Sequence, residues 1–378
     1  MVDIVVGMYT YTYPKIDTGA VVNVKRPSGF LVYEIVNEVD LGTLDLEKAV
    51  ISKKCGDVFI YIVEKIGLDT ITVGEIAKKL MKCSSAEFLG LKDANALVRQ
   101  IMVFQGCKNP QSVLEYCVSD NKCFRAVLWQ CDSAVIHKGN RFVVKLASEN
   151  GSLEVIKKRL QYMEKYGFAF LNFFGYQRFG LHRVYTHIAG KLLVKKNWGR
   201  LVDLLCSLGL AHRPGTPEHL VCELRYRYED ELKIVKKIPK QYLLLYINAY
   251  QSYIFNVLLS KLWLSLVSLH SLEEALKILK TKYPYLPIVG STLHTQEPFI
   301  AGIVDEILEA EGISLKDFSI SELALDVKGD MRKSFEHVHN LSTNLGEEGL
   351  SLEFVLSRGC YATVFLREVL RCDPTAYV

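Results

Sequence analysis

The chain is 378 residues long, more than one hydrophobic core usually organises, so two domains are the first expectation. Apolar residues make up 49% of it and charged residues 23%, which excludes a disordered majority. The formal charge of +4 neither demands nor excludes nucleic acid, because affinity for phosphates depends on where basic residues cluster. The N-terminal MVDIVVGMYTYTYPK has no basic start and no small-residue cleavage site, so no export signal is expected. Ala20–Glu38 alternates and is rich in valine, with Pro27-Ser28-Gly29 before FLVYEIV, which predicts a strand or a hairpin followed by a strand. Asp57–Lys65 reads as another strand. Thr72–Lys82 has helical spacing, with Ile76, Ala77 and Leu80 on one face and Thr72 as the N-cap. Short strands are predicted at Ala86–Leu89 and Ile101–Gln105, then at Arg125–Gln130 and Arg141–Ala147, and a charged amphipathic helix at Ser152–Tyr166.

Strands and helices mix here without regular alternation, so the class is α+β and a doubly wound parallel sheet is not expected. From about Trp198 to Met331 the pattern is mostly helical, with basic stretches in RYRYEDELKIVKKIPKQY and in the earlier HRVYTH. Tyr242–Leu269 is long and apolar enough to suggest a membrane span. Asn248, Gln251, Ser252 and Asn256 interrupt it as one polar stripe, which lipid would penalise by several kcal/mol. A buried helix with that stripe toward a domain boundary or a ligand, facing the cleft between the domains, is expected, and no membrane. Strand-like composition returns at Leu352–Leu356 and Tyr361–Phe365. The economical architecture is a sheet domain that takes its last strands from the C-terminus, with a helical insertion between.

The ten cysteines never form CxxC and match no zinc or iron–sulfur spacing, so reduced thiols acting as small buried hydrophobes are expected. His337 and His339 in FEHVH have no further ligand at usual spacing, and no metal site is expected. There is no GxGxxG after a strand, no GxxxxGK[ST], no GxSxG and no HExxH, so dinucleotide, triphosphate, serine-hydrolase and zincin chemistries lose support. Two segments remain. FLGLKDANALVRQ (Phe88–Gln100) places Asp93 beside Lys92 in a polar loop between apolar runs; alone, such an aspartate is usually a turn former. NFFGYQRFG (Asn172–Gly180) packs aromatics, an amide, glycines and one arginine into nine residues, a mix suited to stacking on a base. Together they point to cofactor-free chemistry on a nucleotide.

GLKDANALVRQ and NFFGYQRFG resemble two signatures of the TruD family of pseudouridine synthases, in its archaeal and eukaryotic-like form. ELRYRY, AYQSYIFN and LSRGCYATVFLREVL resemble further ones. The matches keep the family's order over essentially the whole chain, from YTY and VKRPSGFLVYEI to the last strand. The resemblance implies a catalytic domain built on a mixed, largely antiparallel sheet (residues 1–197 and 332–378) and an inserted, mostly helical domain (198–331). It implies a catalytic aspartate at Asp93, with Lys92 beside it. Asn172, Phe174, Gln177 and Arg178 fall on the base-stacking loop, Phe174 being the stacking ring, and Arg358, Gly359, Tyr361 and Thr363 on the C-terminal motif. Three departures stand out. Val98 replaces a usual threonine, Ser28 and Gly29 replace two acidic residues, and Met331 and Lys333 flank a retained Arg332 in place of an arginine and a proline.

For function, the resemblance implies a tRNA pseudouridine synthase with uridine-13 as its expected target, needing no cofactor and no metal. Another tRNA position, another RNA, or an RNA-binding or chaperone protein with little catalysis are the alternatives. Whether Asp93 attacks the sugar or acts on it as a base stays open. A nearby cation would hold its carboxylate ionised, with Arg358 favoured and Arg178 or Lys92 as alternatives. Lys25 and Arg178 would grip the RNA backbone. A monomer is expected, acting in the cytoplasm or, in a eukaryote, the nucleus.

Overall fold

The computed structural model describes residues 2–15, 20–51, 55–148, 152–180, 184–295, 297–346 and 349–378. His182 and Arg183 of the basic HRVYTH stretch lie outside them. The frame is one large mixed sheet. Its strands are β1 (Val22–Val24), β2 (Phe30–Val36), β3 (Val58–Ile66), β4 (Leu97–Gln105), β5 (Val113–Ser119), β6 (Lys122–Cys131), β7 (His137–Ser148), β8 (His339–Gly346) and β9 (Gly349–Ser357). They lie in the order β8-β9-β7-β2-β4-β3-β6-β5, with β1 beside β7 and short strands added against β2 and β4. Neighbours run antiparallel except β2 and β4, which are parallel in the register Leu31↔Leu97, Val32↔Val98 and Tyr33↔Arg99.

That one parallel junction positions the site. Parallel neighbours start at the same end of a sheet, so the segment entering β2 and the loop entering β4 are brought side by side. The first carries Lys25 and Arg26, the second Lys92 and Asp93.

Helix α1 (Thr70–Met81) covers one face of the far half of the sheet through Val73 and Ala77, packed with Phe59, Tyr61, Val63, Met102 and Phe104. Its cap is Asp69, not the expected Thr72: the Asp69 carboxylate accepts the Thr72 N–H at 2.8 Å and its hydroxyl at 2.6 Å. A second helix, α2 (Ser152–Glu164), joins a core that runs from Val32, Val98 and Val144 of the sheet into the helical part. There α3 (Thr186–Val194) lies against the 30-residue α4 (Lys240–Leu269), with α5 (Pro298–Glu311) on α4 as well. Gly190 permits the closest approach, since a Cβ there would sit 2.0 Å from the Tyr246 carbonyl oxygen.

Three further expectations need correction. Tyr361–Phe365 is no strand: it opens helix α6 (Ala362–Leu370), all nine of whose residues are buried. Its opening residues, Ala362 to Leu366, are a short run rich in apolar and β-branched residues, which sequence alone cannot tell from a strand. The polar stripe of α4 does not face a cleft. Gln251, Ser252 and Asn256 are buried, and they bond to the protein itself: Gln251 Nε2 to the Val289 and Lys328 carbonyls at 2.7 and 3.1 Å, Asn256 Nδ2 to that of Val6 at 2.9 Å. By length and composition α4 could cross a membrane, yet its middle lies inside the fold. Third, eight cysteines pair as Cys55–Cys131, Cys83–Cys107, Cys117–Cys123 and Cys206–Cys222, leaving Cys360 and Cys372 free. Tertiary packing joins them, strand register setting Cys117 opposite Cys123 and two neighbouring helices bringing Cys206 to Cys222, so spacing alone concealed them.

Candidate active site

Asp93 stands on a loop fixed from beneath by buried charges. Lys65, on β3, is 1% exposed, and its ammonium donates to the carbonyls of Leu68 and Asp93, both at 2.8 Å. Lys92 turns inward to the fully buried Glu34 of β2, Nζ to Oε1 at 2.6 Å, while Glu34 Oε2 accepts the Ile101 N–H at 2.7 Å. Thr70, at the start of α1, accepts the Lys92 N–H at 2.9 Å and donates to Gln100 at 3.1 Å. Burial pulls the Lys65 ammonium down to about 8, against the opposing pull of Asp93 and then Asp69, with Lys92 adding to the fall.

The Asp93 carboxylate itself, one quarter exposed, points the other way. Its nearest cation is Arg26, with Nη1 4.0 Å from Oδ2, and Gln177 Nε2 reaches the same oxygen at 3.5 Å. Arg26 is held rigidly: it donates to the Asn95 and Tyr377 carbonyls at 3.0 and 2.9 Å and lies 3.9 Å over the Phe30 ring. Burial lowers its pKa and the Asp93 charge opposes that fall. Gln177 is fixed in turn by Thr363 of α6, whose hydroxyl donates to Gln177 Oε1 at 2.9 Å.

The aromatic loop is anchored to α4. Asn256 Oδ1 accepts the Phe174 N–H at 2.8 Å and its amide donates back to the Phe174 carbonyl at 3.1 Å; Arg178 Nε donates to Ser252 Oγ at 3.1 Å. The Phe174 ring is 8% exposed, edge-on to Phe255 and Tyr361 at 5.4 and 6.2 Å. Gly175 is required by that closeness, since a Cβ there would meet the Tyr361 ring at 2.9 Å. One loop thus offers a carboxylate beside a guanidinium and a primary amide, and the other an aromatic ring tied to the same amide-bearing segment.

Residues 5–219 and 274–369 match the family model of tRNA pseudouridine synthase D (TruD). A probable tRNA pseudouridine synthase D of Sulfurisphaera tokodaii is 30% identical over 382 residues, covering 94% of each chain. That of Saccharolobus solfataricus is 26% identical and covers 100% of this chain and 98% of its own. The crystal structure of the putative tRNA pseudouridine synthase D of Methanosarcina mazei superposes with a TM-score of 0.64 at 19% identity, over 98% of both chains, and so shares the fold. The chain belongs to the TruD family. Members are tRNA pseudouridine synthases, isomerases that act on RNA. The family match leaves out residues 220–273, which hold the Arg225–Tyr228 segment and all of α4.

Within this TruD chain the structure brings Gln177 to Asp93 and Arg178 over Phe174 on the same loop, and distributes the other expected site residues differently. Lys92 serves Glu34 and does not face outward. Asn172 is 3% exposed; it donates to the Lys333 carbonyl at 3.1 Å and accepts from Arg332 at 2.8 Å, so it holds the chain beneath Phe174. Arg358 is exposed and makes no ion pair with Asp93; Arg26 holds that place. Lys25 is exposed on the turn beside Arg26, where its carbonyl accepts the Gly29 N–H at 2.6 Å. Sequence reasoning missed Arg26, Glu34 and Lys65. The last two carried a signal: each continues the buried face of its strand, Glu34 after Phe30 and Val32, Lys65 after Phe59, Tyr61 and Val63. A charge in that alternation needs a partner.

Proposed function

We propose that the chain isomerises a uridine of tRNA to pseudouridine, with uridine-13 as the target, using Asp93 as the reacting group. The observation that carries this is that the Asp93 carboxylate has Arg26 at 4.0 Å and, at 3.5 Å, Gln177 of the same loop that bears Phe174. The reaction breaks the N-glycosidic bond, turns the uracil and rejoins it to the sugar through carbon. It is redox-neutral and adds no external group, so a carboxylate that acts on the sugar and is regenerated is sufficient chemistry.

Each neighbour then has a task. Arg26 keeps a positive charge 4.0 Å from the carboxylate. Gln177 fixes the orientation of Oδ2. The target nucleoside must leave its stack, at a cost of a few kcal/mol. Stacking on Phe174 returns about 1–3 kcal/mol of that, once the ring offers a face. Incubating the purified protein with unmodified tRNA and mapping pseudouridine chemically tests the proposal. One new site at uridine-13 supports it in full, and a single site elsewhere changes only the target. Tight binding with no pseudouridine leaves an RNA-binding protein.

A further inference from the structure

Phe174 has two arginines on it, and among the described residues neither has a counter-ion. Arg332, in the short strand Asp330–Lys333 that pairs with Tyr285–Ile288, holds its guanidinium carbon 4.0 Å from the ring centroid, and Arg178 holds its own at 5.7 Å. Their hydrogen bonds go to neutral groups only. Arg332 donates through Nε to the Asn172 carbonyl at 3.1 Å, and through Nη2 to Asn172 Oδ1 at 2.8 Å and the Phe173 carbonyl at 3.3 Å; Arg178 donates to Ser252 Oγ at 3.1 Å. Among the described residues Arg332 Nη1 has no hydrogen-bond partner, and no carboxylate lies within 4.0 Å of either guanidinium. Arg141 and Arg367 are treated differently: Arg141 reaches Glu353 at 2.9 Å and Arg367 reaches Asp3 at 2.8 Å.

Two unpaired guanidiniums beside one ring are costly. Burial lowers the Arg332 pKa and the charge of Arg178 pushes the same way, against Tyr361, Cys360 and Glu336. Neutral carbonyls cannot cancel that charge, and a fold carries such an arrangement at little benefit unless a ligand supplies the anion. The arginine fork matches a phosphate in shape and charge. A nucleotide drawn out of its stack also needs its backbone held on one side of the displaced base.

We propose that Arg178 and Arg332 together form a phosphate site that grips the RNA backbone directly beside the target uridine. This rests on the proposed function, and it gives Arg332 a ligand-binding task beyond holding the Asn172–Phe173 chain.

The test is a cycle of protein and RNA changes. Substrate RNAs carry an uncharged methylphosphonate at the phosphate on the 5′ or the 3′ side of the target uridine. Each is bound to the wild-type protein, Arg332→Gln and Arg178→Gln, with fold checked by circular dichroism. One of the two methylphosphonates should weaken wild-type binding about tenfold and cost either variant much less. The variants should also lose roughly 0.7–0.9 of salt slope for the lost contact, which Arg332→Lys should retain. Equal methylphosphonate penalties in the wild type and in both variants would overturn the site. If Arg332→Gln fails to fold, Arg178→Gln carries the comparison, since among the described residues its side chain hydrogen-bonds only to Ser252 and otherwise lies over Phe174. Wild-type conversion of the unmodified RNA is measured alongside. Conversion with equal penalties rejects the phosphate site alone, whereas absence of conversion rejects the proposed function.

Discussion

The two loops that meet at the site are held by different physics. The Asp93 loop is fixed by buried charge: Lys65 into its carbonyls, and Lys92 out of it to Glu34. The Phe174 loop is fixed by a neutral amide, a hydroxyl and aromatic packing, through Asn256, Ser252 and Phe255. The difference teaches where each should be sensitive. A loop held by buried lysines should respond to pH and to charge, and a loop held by packing should respond to volume and to lost hydrogen bonds.

The largest effect expected on the packed loop is that of Phe174→Ala, which should slow single-turnover pseudouridine formation about a hundredfold, near the upper end of what base stacking supplies. Phe174→Tyr keeps the ring and should stay active. The ring is also buried, so circular dichroism must accompany the rates; a grossly unfolded alanine variant would assign Phe174 to packing alone. Asn256→Ala removes the partners of the Phe174 N–H and carbonyl and of the Val6 carbonyl. Urea unfolding should show a loss on the order of 3 kcal/mol. A loss below about 1 kcal/mol would mean that the loop is not hung from α4.

The charged loop makes a prediction of opposite sign for rate and for stability. The Lys65 pKa in the fold, about 8, lies below the ordinary lysine value of 10.5. The cost of burying its charge is therefore fully present below pH 8. Between about 8 and 10.5 only the unfolded chain keeps the proton, so this group's contribution to stability improves as pH rises through that window. The rate should do the reverse, falling as Lys65 loses the charge beneath Asp93. Lys65→Met should be about tenfold slower at pH 7 with unchanged tRNA affinity, and nearly flat in rate from pH 7 to 9. An alkaline fall identical in Lys65→Met would place the titrating group elsewhere.

Much of this frame is legible in sequence. Asp93 stands in a polar loop between apolar runs, and the order of glycine-bearing motifs carries the family and the α+β class. Arg26 is not legible, because its place beside Asp93 depends on β2 and β4 being parallel, a pairing between segments about seventy residues apart. Asn172 and Lys92 look like ligand-facing polar groups, and only burial and partners show that they serve the protein. The stripe on α4 reads as polar in an apolar helix; the direction it faces is a tertiary fact.

The smallest effect concerns the helical part, in the stretch that the family model omits. Tyr226 is 92% exposed there, and Arg225 pairs with Asp203 at 2.7 Å. If this segment contacts the tRNA body, Arg225→Gln with Arg227→Gln should weaken binding several-fold and lower the salt slope by about one unit per lost phosphate contact. Chemistry on bound RNA should be unchanged. An unaltered salt slope would make the segment scaffolding.

The most direct test of the central claim is Asp93→Asn, assayed in single turnover at saturating protein on unmodified tRNA, with affinity measured in parallel. The substitution keeps size and hydrogen-bonding reach and removes only the charge. The account predicts no detectable pseudouridine and tRNA affinity within about tenfold (1.4 kcal/mol) of the wild type, because binding rests on phosphate and stacking contacts. Appreciable turnover by Asp93→Asn would contradict it.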